Sequence, residues 1–301
     1  MTTDTAIRTL PATRAAQLVA DYVSLTKPRI IELLLVTTVP AMLVAAGGWP
    51  GTGLLAATLL GGAAVSGSAH ATNMVIDRDI DAVMSRTSHR PMPAGRISPL
   101  GALVFAASLL VAGTAVLLVF AGWLAAALTM GAWLWYVGIY TLLLKRRSVQ
   151  NIVIGGAAGA APPMIGWAAV TGELAAPAWI LFALVTLWTP THFWALAVGT
   201  GQDYARAKVP MLPVVRGPAV AARHCATYAG LTVATALLLP LVGVGGWPLA
   251  VGTVLLGTWF LRRAWALVRD PSPPHAWRLF HGSNAFLGAF SLLVAVSAFL
   301  G

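Results

Sequence analysis

Long apolar segments place the strongest constraint on this chain, because they recur along nearly its whole length. Each is about 18 to 24 residues long, and short polar or glycine- and proline-rich stretches separate them. A helix of about 20 apolar residues crosses the hydrocarbon core of a bilayer. We therefore predict an all-α integral membrane protein with nine transmembrane helices that enclose a cytoplasm-facing cavity. The predicted spans are 30–47, 53–76, 99–119, 123–144, 151–170, 176–198, 220–243, 247–267 and 282–300.

The composition excludes a soluble protein. Of the 301 residues, 58% are hydrophobic and 9% are charged, whereas a soluble domain carries about 25% charged residues. The net charge of +10 would suggest nucleic acid as the partner of a soluble chain. Here we expect a lipid bilayer and no nucleic acid. Residues 1–29 are predicted to be a cytoplasmic tail without a signal peptide, and 30–301 a single membrane domain.

The basic residues predict the orientation. With the N-terminus inside, all 19 Lys and Arg residues lie in the segments on the inner side, and the only charge in the outer turns is Glu173. Basic residues favour the cytoplasmic side of membrane proteins. We predict an N-inside, C-outside protein, and the Ala-, Gly- and Arg-rich composition favours a bacterial plasma membrane.

A polar stripe ends the second predicted span. Asn73, Asp77 and Asp81 are spaced by four residues, so on a helix they share one face over about 12 Å. Carboxylates one turn apart repel unless a positive group lies between them. Mg²⁺ suits them, because it is often held by one or two carboxylates plus substrate phosphates. The alternative is a set of solvated loop acids, but the one-face spacing and the acid Asp203 on the same predicted side favour a metal site.

This placement indicates a type of chemistry. Carboxylates, Mg²⁺ and basic loops above an apolar bundle suit a ligand with a diphosphate head and a hydrocarbon tail. Diphosphate leaves an allylic carbon when its growing charge is neutralised, and the allylic cation then requires a site without water. The expected reaction is prenyl transfer.

Several motifs together carry a resemblance to a known family. The stretch from Asn73 reads N-x-x-x-D-R-D-I-D, and M-x-R-T-x-x-R-P and G-R-I-S follow it. This order resembles the UbiA superfamily of intramembrane prenyltransferases, and within it the protohaem IX farnesyltransferases. Further matches are Thr26-Lys27-Pro28-Arg29, Tyr140 with Lys145-Arg146, Gln150-Asn151-Ile-Val-Ile-Gly-Gly, His192-Phe193-Trp194-Ala195-Leu196, and Asp203-Tyr204 before Val-Pro-Met-Leu-Pro.

The resemblance implies farnesyl diphosphate as donor, haem B as acceptor, Mg²⁺ as cofactor and haem O as product. It also makes haem A synthase or an oxidase assembly factor a candidate protein partner. By position, Asn73, Asp77 and Asp81 match the first acidic motif of the family. Asp203 matches the second, although Gln202 stands beside it where relatives commonly have another acid. The catalytic and metal-ligating set is then Asn73, Asp77, Asp81 and Asp203, and the diphosphate clamps are Arg78, Arg86, Arg90, Lys145 and Arg146.

Four residues are candidates for contact with the acceptor. Histidine is the usual axial ligand of haem iron, which makes His192 and His70 candidates, although a lone His in a membrane helix more often bonds to a neighbour. Asn151 either caps a helix or contacts the substrate. Tyr140 is a candidate from the resemblance alone.

Two alternatives to haem farnesylation stay open. One is a prenyltransferase of the same family that acts on an aromatic, quinone-precursor or chlorin acceptor. The other is a transporter whose acidic stripe lines a cation path. Transporters often show inverted repeats with broken helices near the midplane, whereas here the acids cluster at one face.

Overall fold

The computed structural model describes residues 14–300, apart from the side chains of Leu33 and Leu34, and is all-helical over that range. This confirms the all-α prediction, while residues 1–13 of the predicted tail lie outside the described part. The helices are α1 Arg14–Leu25, α2 Pro28–Ala46, α3 Thr52–Ile76, α4 Arg78–Val83, α5 Pro99–Phe120, α6 Trp123–Leu134 with a π-helical continuation Trp135–Leu144, α7 Asn151–Ala160, α8 Pro162–Thr171, α9 Ala176–Gly199, α10 Gly201–Arg206, α11 Leu212–Arg216, α12 Pro218–Ala236, α13 Leu238–Leu241, α14 Gly246–Arg269 and α15 Pro273–Ser297.

Eight helical segments within residues 14–300 are long and apolar enough to cross a membrane, which confirms an integral membrane protein. Three of them join neighbouring elements, namely α6 with its π-helical continuation, α7 with α8, and α12 with α13. The remaining predicted span corresponds to α14, which is 24 residues long. Its length of about 36 Å would suffice, but Arg262 and Arg263 lower its mean hydropathy. The count of nine is therefore not confirmed by length and composition.

Proline and small residues shape the helices around the site. Pro162 and Pro163 begin α8 directly after the end of α7, and the residues around the break are buried in protein. Such a break requires that the freed backbone groups avoid lipid. Where α3 crosses α5, a Cβ atom on Gly113 would lie 2.7 Å from the carbonyl oxygen of Gly61. Only glycine allows the two backbones to approach so closely.

α9 lies at the centre of the bundle, where it packs against α7, α12 and α15. Half of its residues are buried, as expected for a helix surrounded by others. The aromatic core beside it comes from α14 and α15, where the rings of Phe260 and Phe286 stack with centroids 4.7 Å apart. The acidic stripe lies elsewhere, at the end of α3 and in α4, where the π-helical segment contacts it through Thr141.

The π-helical segment Trp135–Leu144 changes the register at the end of the α6 span. Its pattern continues into the loop, where the amide of Lys145 donates to the carbonyl oxygen of Tyr140 at 2.8 Å. π-helical turns are rare and occur frequently at functional sites. Here the segment brings Thr141 and Lys145 against the end of α3.

Candidate active site

The acidic stripe keeps its spacing although the helix is interrupted. α3 ends at Ile76 and α4 begins at Arg78, so Asp77 stands between them. The amide of Asp77 still donates to the Asn73 carbonyl at 2.9 Å, and that of Asp81 to the Asp77 carbonyl at 2.8 Å. Asn73, Asp77 and Asp81 are 2%, 1% and 4% exposed. They are therefore buried and are not solvated loop residues.

Hydrogen bonds fix the amide of Asn73 beside Asp77. Its Nδ2 donates to Asp77 Oδ2 at 2.7 Å and to Thr141 Oγ1 at 3.1 Å. The Thr141 hydroxyl in turn donates to the Tyr136 carbonyl at 2.8 Å. The π-helical segment thus holds the polar end of α3 in place.

Basic side chains from distant parts of the chain pair with the acids. Lys145 forms an ion pair with Asp77, and Arg90 Nη1 lies 2.8 Å from Asp81 Oδ2. These pairs supply the positive charge that two carboxylates one turn apart require. Arg146 pairs with the exposed Asp79 at 2.7 Å, and its Nη2 lies 3.7 Å from Asp77 Oδ1. The guanidinium of Arg146 holds the pKa of Asp79 at about 2.

Lys27 joins this cluster, although the sequence analysis gave it no role. Its Nζ donates to Asn73 Oδ1 at 2.8 Å, and its backbone is left-handed with φ +53°, which non-glycine residues seldom adopt. Loss of water, and then the charges of Arg90 and Lys145, lower the pKa of Lys27 to about 7 against the opposing effect of Asp81 and Asp77. The motif around Lys27 was the available signal, but the sequence does not show which residue its amine meets.

The second acidic motif fastens a loop. Asp203 Oδ1 accepts from the hydroxyl and amide of Ser85 at 2.8 and 3.3 Å, and Oδ2 accepts from the same hydroxyl at 2.9 Å and from the Arg86 amide at 3.3 Å. Arg206 forms an ion pair with Oδ1. Burial raises the pKa of Asp203, but the hydrogen bonds from Ser85 and Arg206 outweigh it and lower the pKa to about 2. Both oxygens of this carboxylate are therefore occupied.

Two of the predicted diphosphate clamps do not contact the acids through their side chains. Arg78 is exposed, and its Nη1 donates to the Val75 carbonyl at 3.0 Å. The Arg86 side chain is also exposed, and this residue meets Asp203 through its amide. Of the five predicted clamps, the structure brings Arg90, Lys145 and Arg146 to the acids.

One atom of the stripe has the properties of a vacant ligand. Among the described residues, buried Asp77 Oδ1 accepts no hydrogen bond, since Arg146 Nη2 is 3.7 Å away, and leaving such an oxygen without a hydrogen bond is costly. In residues 14–300, no three His, Cys, Asp or Glu side chains lie close enough to hold one metal ion together. An ion here would therefore have fewer than three such ligands, which suits Mg²⁺ because it takes further oxygens from a phosphate substrate.

Comparison with known proteins identifies the family. The model of the UbiA prenyltransferase family matches residues 34–292. The chain belongs to the UbiA prenyltransferase family. A protohaem IX farnesyltransferase of Paenarthrobacter aurescens is 46% identical over all of this chain and 96% of its own length. One of Thermosynechococcus vestitus is 50% identical over 89% of this chain and 85% of its own length.

A solved structure shows the same fold. A UbiA homologue from Archaeoglobus fulgidus, bound to GPP and Mg²⁺, superposes with a TM-score of 0.65 at 17% identity and covers 92% of this chain and 99% of the homologue. This likeness shows that the helices of this chain are arranged as in a UbiA homologue.

Two histidines of this UbiA chain lie in different surroundings. His70, one turn before Asn73, places Nδ1 3.3 Å from the Tyr136 hydroxyl, and its buried Nε2 has no partner among the described residues. His192 Nδ1 lies 2.9 Å from Ser283 Oγ. Because the Ser283 hydroxyl donates to the Phe280 carbonyl at 2.7 Å, Nδ1 of His192 must be the donor. Its Nε2 therefore carries the lone pair.

Asn151 and Tyr140 are positioned by the start of α7. Asn151 is fully buried and its Nδ2 donates to the Ser148 carbonyl at 2.6 Å, while Oδ1 has no partner among the described residues. It lies inside α7, one residue after the cap position, so the capping interpretation is wrong. Tyr140 packs on Gly155, where an added Cβ atom would clash with the ring. Gly155 thus gives Tyr140 its place beside the stripe.

Proposed function

We propose that this chain is an Mg²⁺-dependent protohaem IX farnesyltransferase, which transfers the farnesyl group of farnesyl diphosphate to a vinyl group of haem B and so makes haem O. The observation that carries the proposal is the buried stripe of Asn73, Asp77 and Asp81, which is paired with basic residues and in which Asp77 Oδ1 accepts no hydrogen bond among the described residues. The curated relatives named above supply the acceptor, because they are named for protohaem IX.

The diphosphate head would bind at the cations of this cluster. Lys27, Arg90 and Lys145 stand against Asp77 and Asp81, so with all five charged the group carries one positive charge in excess. A diphosphate with one Mg²⁺ is anionic and would draw the basic groups towards its oxygens. Asn73, Asp77 and Asp81 would hold the ion, which neutralises the charge that develops on the leaving diphosphate. Asp203 would act as a positioning residue through Ser85.

The farnesyl chain would lie among the apolar interiors of the spanning helices. Cleavage of its C–O bond forms an allylic cation, which a site without water protects. The rings of Tyr136 and Tyr140 have centroids 5.4 Å apart, and the Tyr136 hydroxyl lies 3.3 Å from His70, one turn before Asn73. Their π faces can stabilise a cation. The cation then bonds to the vinyl carbon of the acceptor, and addition of water with loss of a proton gives the hydroxyethylfarnesyl group.

The acceptor would be placed by histidine. His192 offers a neutral Nε2 to haem iron, because its Nδ1 is bound to Ser283. His70 lies closer to the stripe and also has an unpartnered Nε2. We assign iron contact to His192, since its ring stacks on Trp188 and contacts the tilted ring of Phe280, with both centroids 4.5 Å away, and an aromatic setting suits a porphyrin.

The membrane arrangement follows from the same site. We propose that α14 is a ninth spanning helix, that residues 30–301 form one domain, and that the N-terminus lies in the cytoplasm of a bacterial cell. The exposed face of α14 is apolar, since Val251, Val254 and Leu255 are exposed, and this supports a spanning position for α14. Insertion of a cysteine after Glu173, followed by labelling of intact cells with an impermeant thiol reagent, tests the sidedness.

The decisive experiment supplies the purified full chain with haem B, farnesyl diphosphate and Mg²⁺, and the pigments are analysed by mass. We expect haem O, loss of product with EDTA, and recovery with added Mg²⁺. Unmodified haem from a preparation that prenylates a quinone precursor would replace the acceptor assignment with the aromatic alternative. Turnover that persists in EDTA would contradict the metal assignment.

A further inference from the structure

A cavity lies on the other side of α9 from His192. It has a volume of about 300 Å³, and its walls come from the residues before α7 and from α9, α11 and α12. The residues that line it are Val149, Gln150, Trp194, Leu212, Arg216, Val220, His224 and Tyr228. None of the stripe residues lines it. α7 and α12 both begin at this cavity and both belong to spanning segments, so the cavity lies at a membrane–water interface.

Trp194 forms the inner wall of this cavity. It follows His192 by two residues, so the two side chains lie about 200° apart around α9. His192 accordingly contacts Ser283 on α15. Trp194 instead meets the rings of His224 and Tyr228 on α12 edge-on, with centroids 5.7 and 5.5 Å away. The family motif that contains both residues therefore serves two different places, and the proposed reaction uses only one.

The indole of Trp194 has an unused donor. Trp194 is 2% exposed, and its Nε1 has no hydrogen-bond partner among the described residues. A buried N–H group without an acceptor is destabilising, so this position favours a ligand that can accept a hydrogen bond.

The charge of the cavity favours an anion. Arg216 contributes a guanidinium group, His224 can become positive, and no carboxylate is among the lining residues. The first turn of α12, which includes Val220, adds the positive end of a helix dipole. Val149, Leu212 and Val220 make the rest of the wall apolar. The cavity therefore combines the guanidinium group of Arg216 and the buried N–H group of Trp194 with an apolar rim.

We propose that this cavity binds the phosphate group of an anionic membrane lipid. Arg216 pairs with the phosphate oxygens, the Trp194 N–H donates to one of them, and the acyl chains run along the apolar rim into the bilayer. This site is separate from the prenyl-transfer site and does not depend on the function proposed above.

Native mass spectrometry of the full chain in detergent tests the proposal, with phosphatidylglycerol as the probe and phosphatidylcholine as the comparison lipid. Arg216→Gln should weaken the binding of phosphatidylglycerol by about tenfold, since a charge-assisted bond is lost. Trp194→Phe keeps the aromatic packing and removes the N–H, and should weaken binding by about threefold. Arg223→Gln is the matched control, because Arg223 is an exposed base on α12 that does not line the cavity; it should bind as the unaltered chain does.

Two further outcomes are decisive. Equal loss of lipid binding in the Arg223 and Arg216 variants would overturn the proposed binding site. Unchanged binding in both the Arg216 and Trp194 variants would overturn it as well. Inorganic phosphate at millimolar concentration separates the two sources of the anion. Retention of the lipid supports the lipid headgroup, whereas full displacement would assign the cavity to free phosphate and overturn the lipid assignment.

Discussion

The two acidic motifs of this chain differ in whether both oxygens of their carboxylates already accept hydrogen bonds. Asp77 is held on one oxygen by Asn73 and Lys145, and its other oxygen accepts no hydrogen bond among the described residues. Asp203 accepts hydrogen bonds on both oxygens, from Ser85 and Arg86. The first motif thus has a buried acceptor available to a cation, whereas the second uses its acceptors to fasten the loop after α4.

This difference changes how the pair of motifs is interpreted. Sequence alone treats the two as halves of one metal site. Under our proposal, the first instead binds the ion, and the second positions the loop from which Arg90 reaches Asp81. A lone acid beside Gln202 is sufficient for such a role, since one carboxylate satisfies Ser85 and Arg86 together.

The largest expected effect is that of Asp77→Asn. The change removes the negative charge and one of the two carboxylate oxygens, so we expect haem O formation to fall by about 10²–10³-fold. Asp79→Asn is the matched control, since Asp79 is exposed and lies outside the stripe. The rate of this variant should stay within about threefold of the rate of the unaltered chain. Rates from purified protein, with helix content from circular dichroism, measure both. Comparable losses in the two variants would remove the distinction between the stripe and the solvated acid.

An intermediate effect is expected for Lys27→Met. The variant keeps an unbranched side chain and loses the ammonium group that reaches Asn73, so kcat/KM for farnesyl diphosphate should fall by about 10–100-fold. Arg29→Met serves as the control because Arg29 is an exposed base two residues away. A rate for Lys27→Met equal to that of the control would exclude Lys27 from the diphosphate site.

The smallest effect, and the sharpest test of the comparison, is that of Ser85→Ala. If Asp203 works by holding the loop, Ser85→Ala should lower the rate by about tenfold, and Asp203→Asn should lower it to a similar degree. Ser88→Ala, an exposed serine in the same loop, should have little effect. Full activity in Ser85→Ala together with loss of activity in Asp203→Asn would restore Asp203 as a metal ligand.

Much of the helical layout could be predicted because it depends on local pattern. The predicted second span ends at residue 76, as α3 does, and the four-residue spacing of the stripe survives the interruption at Asp77. α15 was predicted to begin at 282, but it begins at Pro273. His275, Arg278 and His281 made that stretch look like a loop. Tertiary contacts stabilise it as helix, since Trp277 packs on Gly199 and Phe280 on His192.

The candidate site was only partly predictable, because its partners are far apart in the chain. Lys145 follows Asp77 by 68 residues, and Lys27 precedes Asn73 by 46. The sequence identifies a set of basic residues near one face, but it does not rank them. The structure places Arg90 and Lys145 against the acids and leaves the side chains of Arg78 and Arg86 exposed.

The sequence by itself determined the membrane setting, the spanning helices that its apolar runs predict, and the stripe of Asn73, Asp77 and Asp81. All three follow from hydrophobicity and from the 3.6-residue period of a helix, which act between near neighbours. Only the tertiary structure decided which cation meets which acid, which carboxylate oxygen accepts no hydrogen bond, and that Trp194 forms the wall of a cavity away from the stripe. These depend on how helices distant in sequence pack, and no local pattern encodes that packing.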